Sequence, residues 1–114
     1  MTKAKPKVID KRKPHYSLSE LKKLIANEET RHITRECNKN ADALGISYTE
    51  IIEIVLSITS DDFYKSMTAY ENNKIWQDVY RPHHGDLKLY VKLQKSFDGK
   101  GVVIQLKKSE DERW

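Results

Sequence analysis

Apolar residues recur along this chain in two rhythms, and the change falls just past its middle. In the first half they stand three and four apart. Leu18, Leu21 and Ile25, with Leu24 beside them, predict a helix over 18–28. Ser17-Leu18-Ser19-Glu20 reads as its capping box, the Ser17 hydroxyl accepting from the backbone N–H three residues on while Glu20 reaches back. Residues 30–34 fit a short strand or an extended link, and 38–44 a short helix stopped by Gly45. Tyr48, Ile51, Ile52, Val55, Leu56 and Thr59 fall at i, i+3, i+4, i+7, i+8 and i+11, the pattern of one buried helical face. Thr59-Ser60-Asp61-Asp62 then supplies cap residues and first-turn acids, which predict a helical turn running through Phe63-Tyr64-Lys65. Residues 66–70 leave it as an extended segment, and Glu71-Asn72-Asn73 forms a turn.

In the second half the period shortens to two. A strand over 75–81 ends at Pro82, with His83-His84-Gly85-Asp86 as the turn. The next strand, 87–97, alternates cleanly: Leu87, Leu89, Val91 and Leu93 point one way, Lys88, Tyr90, Lys92 and Gln94 the other. Asp98-Gly99 is a hairpin signal. Residues 102–107 return, with Val102, Ile104 and Leu106 inward and Val103, Gln105 and Lys107 outward. Helices first and strands after predict an α+β fold, the N-terminal helices packed on one face of an antiparallel sheet. One domain over 14–109 accounts for the core. A flexible basic tail over 1–13, with almost nothing to bury, precedes it, and a short polar tail over 110–114 follows.

Charge sharpens this division. The chain has 114 residues and a net charge of +4. Residues 1–14 carry net +5, 15–73 net −4, 74–108 net +5 and the last six net −2. An acidic helical layer thus separates a basic arm from a basic sheet. A basic face on a rigid element suits a phosphate-bearing partner; charge alone equally fits a solvated tail and lysine-guarded strand edges. No apolar run is long enough to span a bilayer and no signal peptide is evident, and the single Cys37 has no internal disulfide partner. These features fit a reduced, cytoplasmic setting.

Several chemistries are missing. There is no Gly-rich phosphate loop, and the four histidines and one cysteine do not fall at metal-ligand spacing, so neither a metal nor a cofactor is expected. His83 and His84 are adjacent and read as solvated turn residues. Phe63, Tyr64 and Trp76 read as packing residues. What the outward sheet face offers is lysine, arginine, tyrosine and glutamine. These types suffice to cut RNA without a metal: a base takes the 2′-hydroxyl proton, cations stabilise the phosphorane, and an acid protonates the leaving 5′-oxygen. The same residues also fit a nucleic-acid-binding regulator with no catalytic step, or a protein-interaction module that pairs through a sheet edge.

One stretch separates these readings. Asp62-Phe63-Tyr64-Lys65-Ser66-Met67-Thr68 with Tyr70, followed by Ile75-Trp76-Gln77-Asp78-Val79-Tyr80-Arg81-Pro82, closely resembles the MqsR family, the motility quorum-sensing regulator toxins of bacterial toxin–antitoxin pairs. Weaker similarity runs upstream through Lys11-Arg12, Pro14-His15, Leu18-Ser19, Lys22-Lys23-Leu24, Asn40-Ala41-Asp42 and Leu44-Gly45, and downstream through Tyr90-Val91-Lys92-Leu93 to Lys107. The resemblance implies a RelE-like fold and a ribosome-independent mRNA endoribonuclease that cuts near GCU-type sites. It implies a partner antitoxin with a zinc-binding half and a helix-turn-helix half, and contact with operator DNA only through that antitoxin. It implies Lys65, Gln77 and Tyr90 as catalytic residues. Lys107 matches a further family lysine, and Arg81, Lys88, Lys92 and Lys107 are the expected phosphate contacts. The chain departs from the family in a longer N-terminal tail, a shorter HHGD turn and an added acidic C-terminus, none of which touches the matched residues.

Overall fold

Ser17, Thr34 and Ser47 each stand one residue before a helix, and their side-chain oxygens accept the backbone N–H of Glu20, Cys37 and Glu50. Each bond satisfies a donor that the first helical turn leaves open. These caps fix the starts of α1 (Leu18–Ala26), α2 (Arg35–Ala43) and α3 (Tyr48–Ser57) in the computed structural model, which describes residues 7–110. The Thr34 cap begins α2 earlier than the expected start at 38. None of the helices among the described residues is long and apolar enough to cross a membrane.

The buried stripe of α3 is Ile51, Ile54 and Val55, with Ile58 just beyond, and not the wider face expected from the spacing. Tyr48 and Leu56 are exposed. Tyr48 is held at the rim by Arg31, whose Nε donates to its hydroxyl at 3.1 Å and whose guanidinium lies over its ring.

Among the described residues the strands are β1 (Asp10–Lys11), β2 (Arg31–Ile33), β3 (Phe63–Ala69), β4 (Asn72–Tyr80), β5 (His83–His84), β6 (Leu87–Lys95) and β7 (Gly101–Lys108). They form a seven-stranded sheet in the order β1-β3-β4-β6-β7-β2, with β5 pairing β6 off this path. Every pairing is antiparallel except that of β2 with β7, so the expected antiparallel sheet carries one parallel edge. The helices cover one face. There Leu21 and Ile25 of α1 and Val55 of α3 join Tyr80, Val91 and Leu106 of the sheet in one buried cluster. Gly101 lets α1 sit against β7: a Cβ there would lie 2.9 Å from Leu24 Cβ and from Ile25 Cγ1.

Four local readings change. The helical turn does not run through Phe63–Lys65. A single 3-10 turn, Ser60–Asp62, closes when Thr59 N donates to Asp62 Oδ2 at 2.9 Å, and the chain extends from Phe63 because Phe63 and Lys65 find partners on β4. In β7, Lys92 pairs with Gln105 but Leu93 with Val103, so Ile104 is an extra residue. This bulge reverses the alternation beyond it. Val103, expected outward, therefore enters the core cluster with Leu106, while Val102 and Ile104 stand outside it. His83–His84 pairs with Lys88 and Leu87 as β5, leaving the turn itself to Gly85 (φ 59°) and Asp86. Of the stretch 1–13 read as a tail, residues 1–6 lie outside the described residues, while Asp10 and Lys11 pair with Met67 and Ser66 as β1. Of the tail 110–114, only Glu110 lies among the described residues.

Asp78, fully buried on β4, ties the N-terminal segment down. Its two oxygens accept His15 N at 3.0 Å each, and Oδ2 also accepts Tyr16 N at 2.9 Å. Tyr16 returns a bond from its hydroxyl to Trp76 O at 2.8 Å. Replacing Asp78 with Ala leaves two backbone donors without their acceptor and is expected to cost about 3 kcal/mol, read as a lower urea midpoint. A second expectation follows from burial of neutral groups. The Cys37 thiol is pushed by burial from 9.0 up to about 12, and the Tyr80 phenol from 10.0 to about 12 by burial and by the nearby Asp78 carboxylate. Both folded values are raised, so above about pH 9 the unfolded chain binds fewer protons than the folded one. The urea midpoint is therefore expected to fall as pH rises from about 9 toward 12, and to fall less steeply in Tyr80→Phe.

Candidate active site

The face opposite the helices is built from alternate positions of four strands. Register puts Lys65, Val79, Lys92 and Gln105 in one row across β3, β4, β6 and β7, and sets Tyr90 against Lys107. Directly paired residues share a face, so these side chains stand together. Beside them lies a cleft of about 190 Å³ lined by Tyr64, Lys65, Arg81, Tyr90, Lys107, Ser109 and Glu110.

A β-bulge shapes one wall. Phe63 pairs with Tyr80 and Lys65 with Val79, so Tyr64 is one residue too many in β3. Phe63 keeps its ring edge-on to Tyr80, centroids 5.5 Å apart, at the core boundary. The surplus residue lets consecutive side chains, Tyr64 and Lys65, both reach the cleft, which a regular strand forbids. The Tyr64 ring then gathers cations. The Arg81 guanidinium lies 3.8 Å from its centroid, Lys65 Nζ 5.2 Å and the Arg12 guanidinium 5.2 Å. Arg12 also donates to Tyr64 O at 3.3 Å.

The opposite wall is Tyr90. Its hydroxyl donates to Met67 Sδ at 3.8 Å, and Lys107 Nζ stands 4.9 Å over its ring. Burial raises the Tyr90 phenol above its ordinary value, and proximity to Tyr64 adds to the rise, so it stays protonated and able to donate. Lys92, in the adjoining row, is lowered first by burial and then by the charges of Lys107 and Lys65, with Glu36 acting against them. The cleft thus gathers Lys65, Arg81 and Lys107 around the protonated phenol of Tyr90.

Of the seven residues expected from sequence, Lys65, Arg81, Tyr90 and Lys107 come together around the cleft. Lys92 stands beside it in the same face. Gln77 does not line it: at 9% exposure its side chain lies toward the next row, with Nε2 donating to Gln94 Oε1 at 3.0 Å. Lys88 lies across from His83, and its carbonyl receives Ser109 N at 2.8 Å. Among the described residues no group of three or more His, Cys, Asp or Glu is placed to hold a metal. Tyr64, Arg12, Met67, Ser109 and Glu110 were not foreseen at the site. Tyr64 was read as packing beside a helical turn, whereas the register makes it the surplus residue of a bulge that sets it beside Lys65 at the cleft. Arg12 lies in the basic arm, whose charge was visible but whose docking was not.

Comparison with known proteins follows the same stretch. Residues 13–108 match the family described as motility quorum-sensing regulator, toxin of MqsA. A protein of Escherichia coli strain K12 named mRNA interferase toxin MqsR is 41% identical over 85 residues, which is 75% of this chain and 86% of that one.

The cleft should hold a small polyanion. Inorganic pyrophosphate is expected to bind at low ionic strength, with Arg81→Gln and Lys107→Gln each weakening it about tenfold in titration calorimetry. Binding insensitive to both would put the anion site elsewhere.

Proposed function

The chain belongs to the MqsR toxin family, and on that footing we propose that it is an mRNA interferase toxin, an endoribonuclease restrained by a cognate antitoxin. The observation that carries this reading is the convergence of Lys65, Arg81, Tyr90 and Lys107 on one cleft of about 190 Å³. Its dimensions and charge suit a phosphodiester rather than a folded domain.

In this reading the ribose 2′-oxygen loses its proton and attacks the neighbouring phosphorus. The O2′–P bond forms as the P–O5′ bond breaks, and the 5′-oxygen takes a proton as it leaves. Products are a 2′,3′-cyclic phosphate and a 5′-hydroxyl. Arg81, Lys92 and Lys107 surround the phosphoryl oxygens with positive charge, which is worth more in a partly desolvated cleft than in water. Lys88, further along β6, reaches a flanking phosphate. Lys65 and Tyr90 divide proton transfer and phosphate stabilisation. Tyr90 is suited to donation, because burial keeps its phenol protonated. Gln77 acts from the next row, its amide held by Gln94, and so positions the substrate.

The finer expectations stay within the same proposal. Cleavage falls near GCU-type sites, in the cytoplasm. The antitoxin pairs a zinc-binding half with a helix-turn-helix half and alone touches operator DNA.

RNA bearing GCU sites, incubated with the protein in excess EDTA, is expected to show new 5′-hydroxyl ends. Lys65→Ala and Tyr90→Phe should each lower the rate by about 10² or more. Intact RNA after long incubation, with salt-sensitive binding retained, would instead make the protein a binder without catalysis.

A further inference from the structure

We propose that Arg12, from the basic arm ahead of α1, binds the RNA phosphate next to the scissile one. The inference rests on the ribonuclease reading above. It adds a contact from outside the cleft, since Arg12 is not among the residues that line it. Residues 1–14 carry net +5, and the reaction assigned to the cleft makes no use of that charge.

Arg12 stands between two anchors. Before it, Lys11 pairs with Ser66 of β3, and Ile9 N donates to Thr68 Oγ1 at 2.9 Å. After it, the buried Asp78 carboxylate holds His15 N and Tyr16 N. Between these fixed points the two adjacent cations part. Lys11 Nζ lies 4.2 Å over the Trp76 ring and 3.2 Å from His15 Nδ1. Arg12 turns to Tyr64 instead, donating to its carbonyl at 3.3 Å with the guanidinium 5.2 Å from its ring centroid. Lys11 thus secures the arm, and Arg12 is delivered to the rim of the site.

What waits there suits a phosphate. The Tyr64 ring lines the cleft and carries the Arg81 guanidinium at 3.8 Å. Arg12 and Arg81 therefore share one ring, Arg81 lining the cleft and Arg12 outside it. Two cations held this close by one side chain can take successive phosphates of a single strand. The Arg12 side chain is exposed, and among the described residues no carboxylate pairs with it. Its guanidinium has five N–H donors in a planar fork, and the bond to Tyr64 O leaves most of them for an incoming acceptor. That fork matches the oxygens of a phosphate, and its charge is permanent.

The test is a phosphate scan. A short RNA with one cleavage site carries a 2′-O-methyl group at the scissile ribose, which blocks the attack, and a neutral methylphosphonate at each phosphate in turn. Its binding to the wild type, Arg12→Gln and Arg12→Lys is read by fluorescence anisotropy. In the wild type, neutralising the scissile phosphate and one phosphate next to it should each weaken binding about tenfold. In Arg12→Gln the neighbouring position should fall silent while the scissile position keeps its penalty. The plot of log Kd against log salt should also be shallower by about 0.7, the share of one single-strand phosphate. Arg12→Lys, which keeps the charge, should keep most of the neighbouring penalty. Each comparison is between RNAs on one protein, so a smaller folded fraction does not change it. Were Arg12 only a support for Tyr64, its loss would weaken all the RNAs alike; an identical scan in wild type and Arg12→Gln overturns the proposal and leaves the ribonuclease reading standing. A wild type that leaves the unblocked RNA intact overturns that reading and the proposal with it.

Discussion

A single buried carboxylate joins the two halves of this protein. Asp78 points into the helical side of β4 and accepts the backbone N–H groups of His15 and Tyr16. The segment leading into α1 is thereby fixed to the central strand. His15 stacks on Trp76, 5.5 Å between centroids, and Lys11 Nζ lies 4.2 Å over the same ring. The neighbours of Asp78 in β4, Gln77 and Val79, point to the opposite face. The strand that anchors the N-terminus is thus the strand that floors the open face, and backbone contacts too few to form a layer of their own still bring Arg12 to Tyr64. A charged side chain is an expensive way to build a core, but one that accepts three backbone bonds is well satisfied, and it specifies a unique partner where an apolar contact would not.

The sheet divides its labour by face. Toward the helices it is apolar, and Leu89, Val91 and Leu93 of β6 are fully buried. On the open side the same strand presents Lys88, Tyr90, Lys92 and Gln94. Rigidity comes from the packed side and the candidate site lies on the open one, so that site sits on strands rather than on loops. Two bulges adjust this division. The one at Ile104 redirects β7 into the core, and the one at Tyr64 doubles the side chains that β3 sends to the cleft.

Much of this was legible in the residues. Period-two alternation in 87–95 assigned Leu89 and Tyr90 to their faces, and the Ser17 cap and the helical spacing of Ile51 and Val55 announced two helices. Lys65, Tyr90 and Lys107 were named on motif, and the register brings them to one cleft. What escaped was set by pairing rather than by pattern. Nothing local marks Tyr64 or Ile104 as surplus, since a bulge exists only relative to a partner strand. The face of α3 was drawn too wide because Tyr48 and Leu56 fit the helical period, yet no layer lies over them. Two residues of β1 were lost in a basic stretch, because their place depends on β3 and on Asp78, both more than fifty positions away.

The Tyr64 ring has a consequence that reaches past geometry. Arg12, Lys65 and Arg81 arrive from three separate segments and would repel one another in an empty hollow. The electron-rich face of the ring gives them a common neutral neighbour. Positive charge can wait there in assembled form, and under the proposed function an arriving phosphate would meet groups already gathered rather than groups that must be collected from solvent.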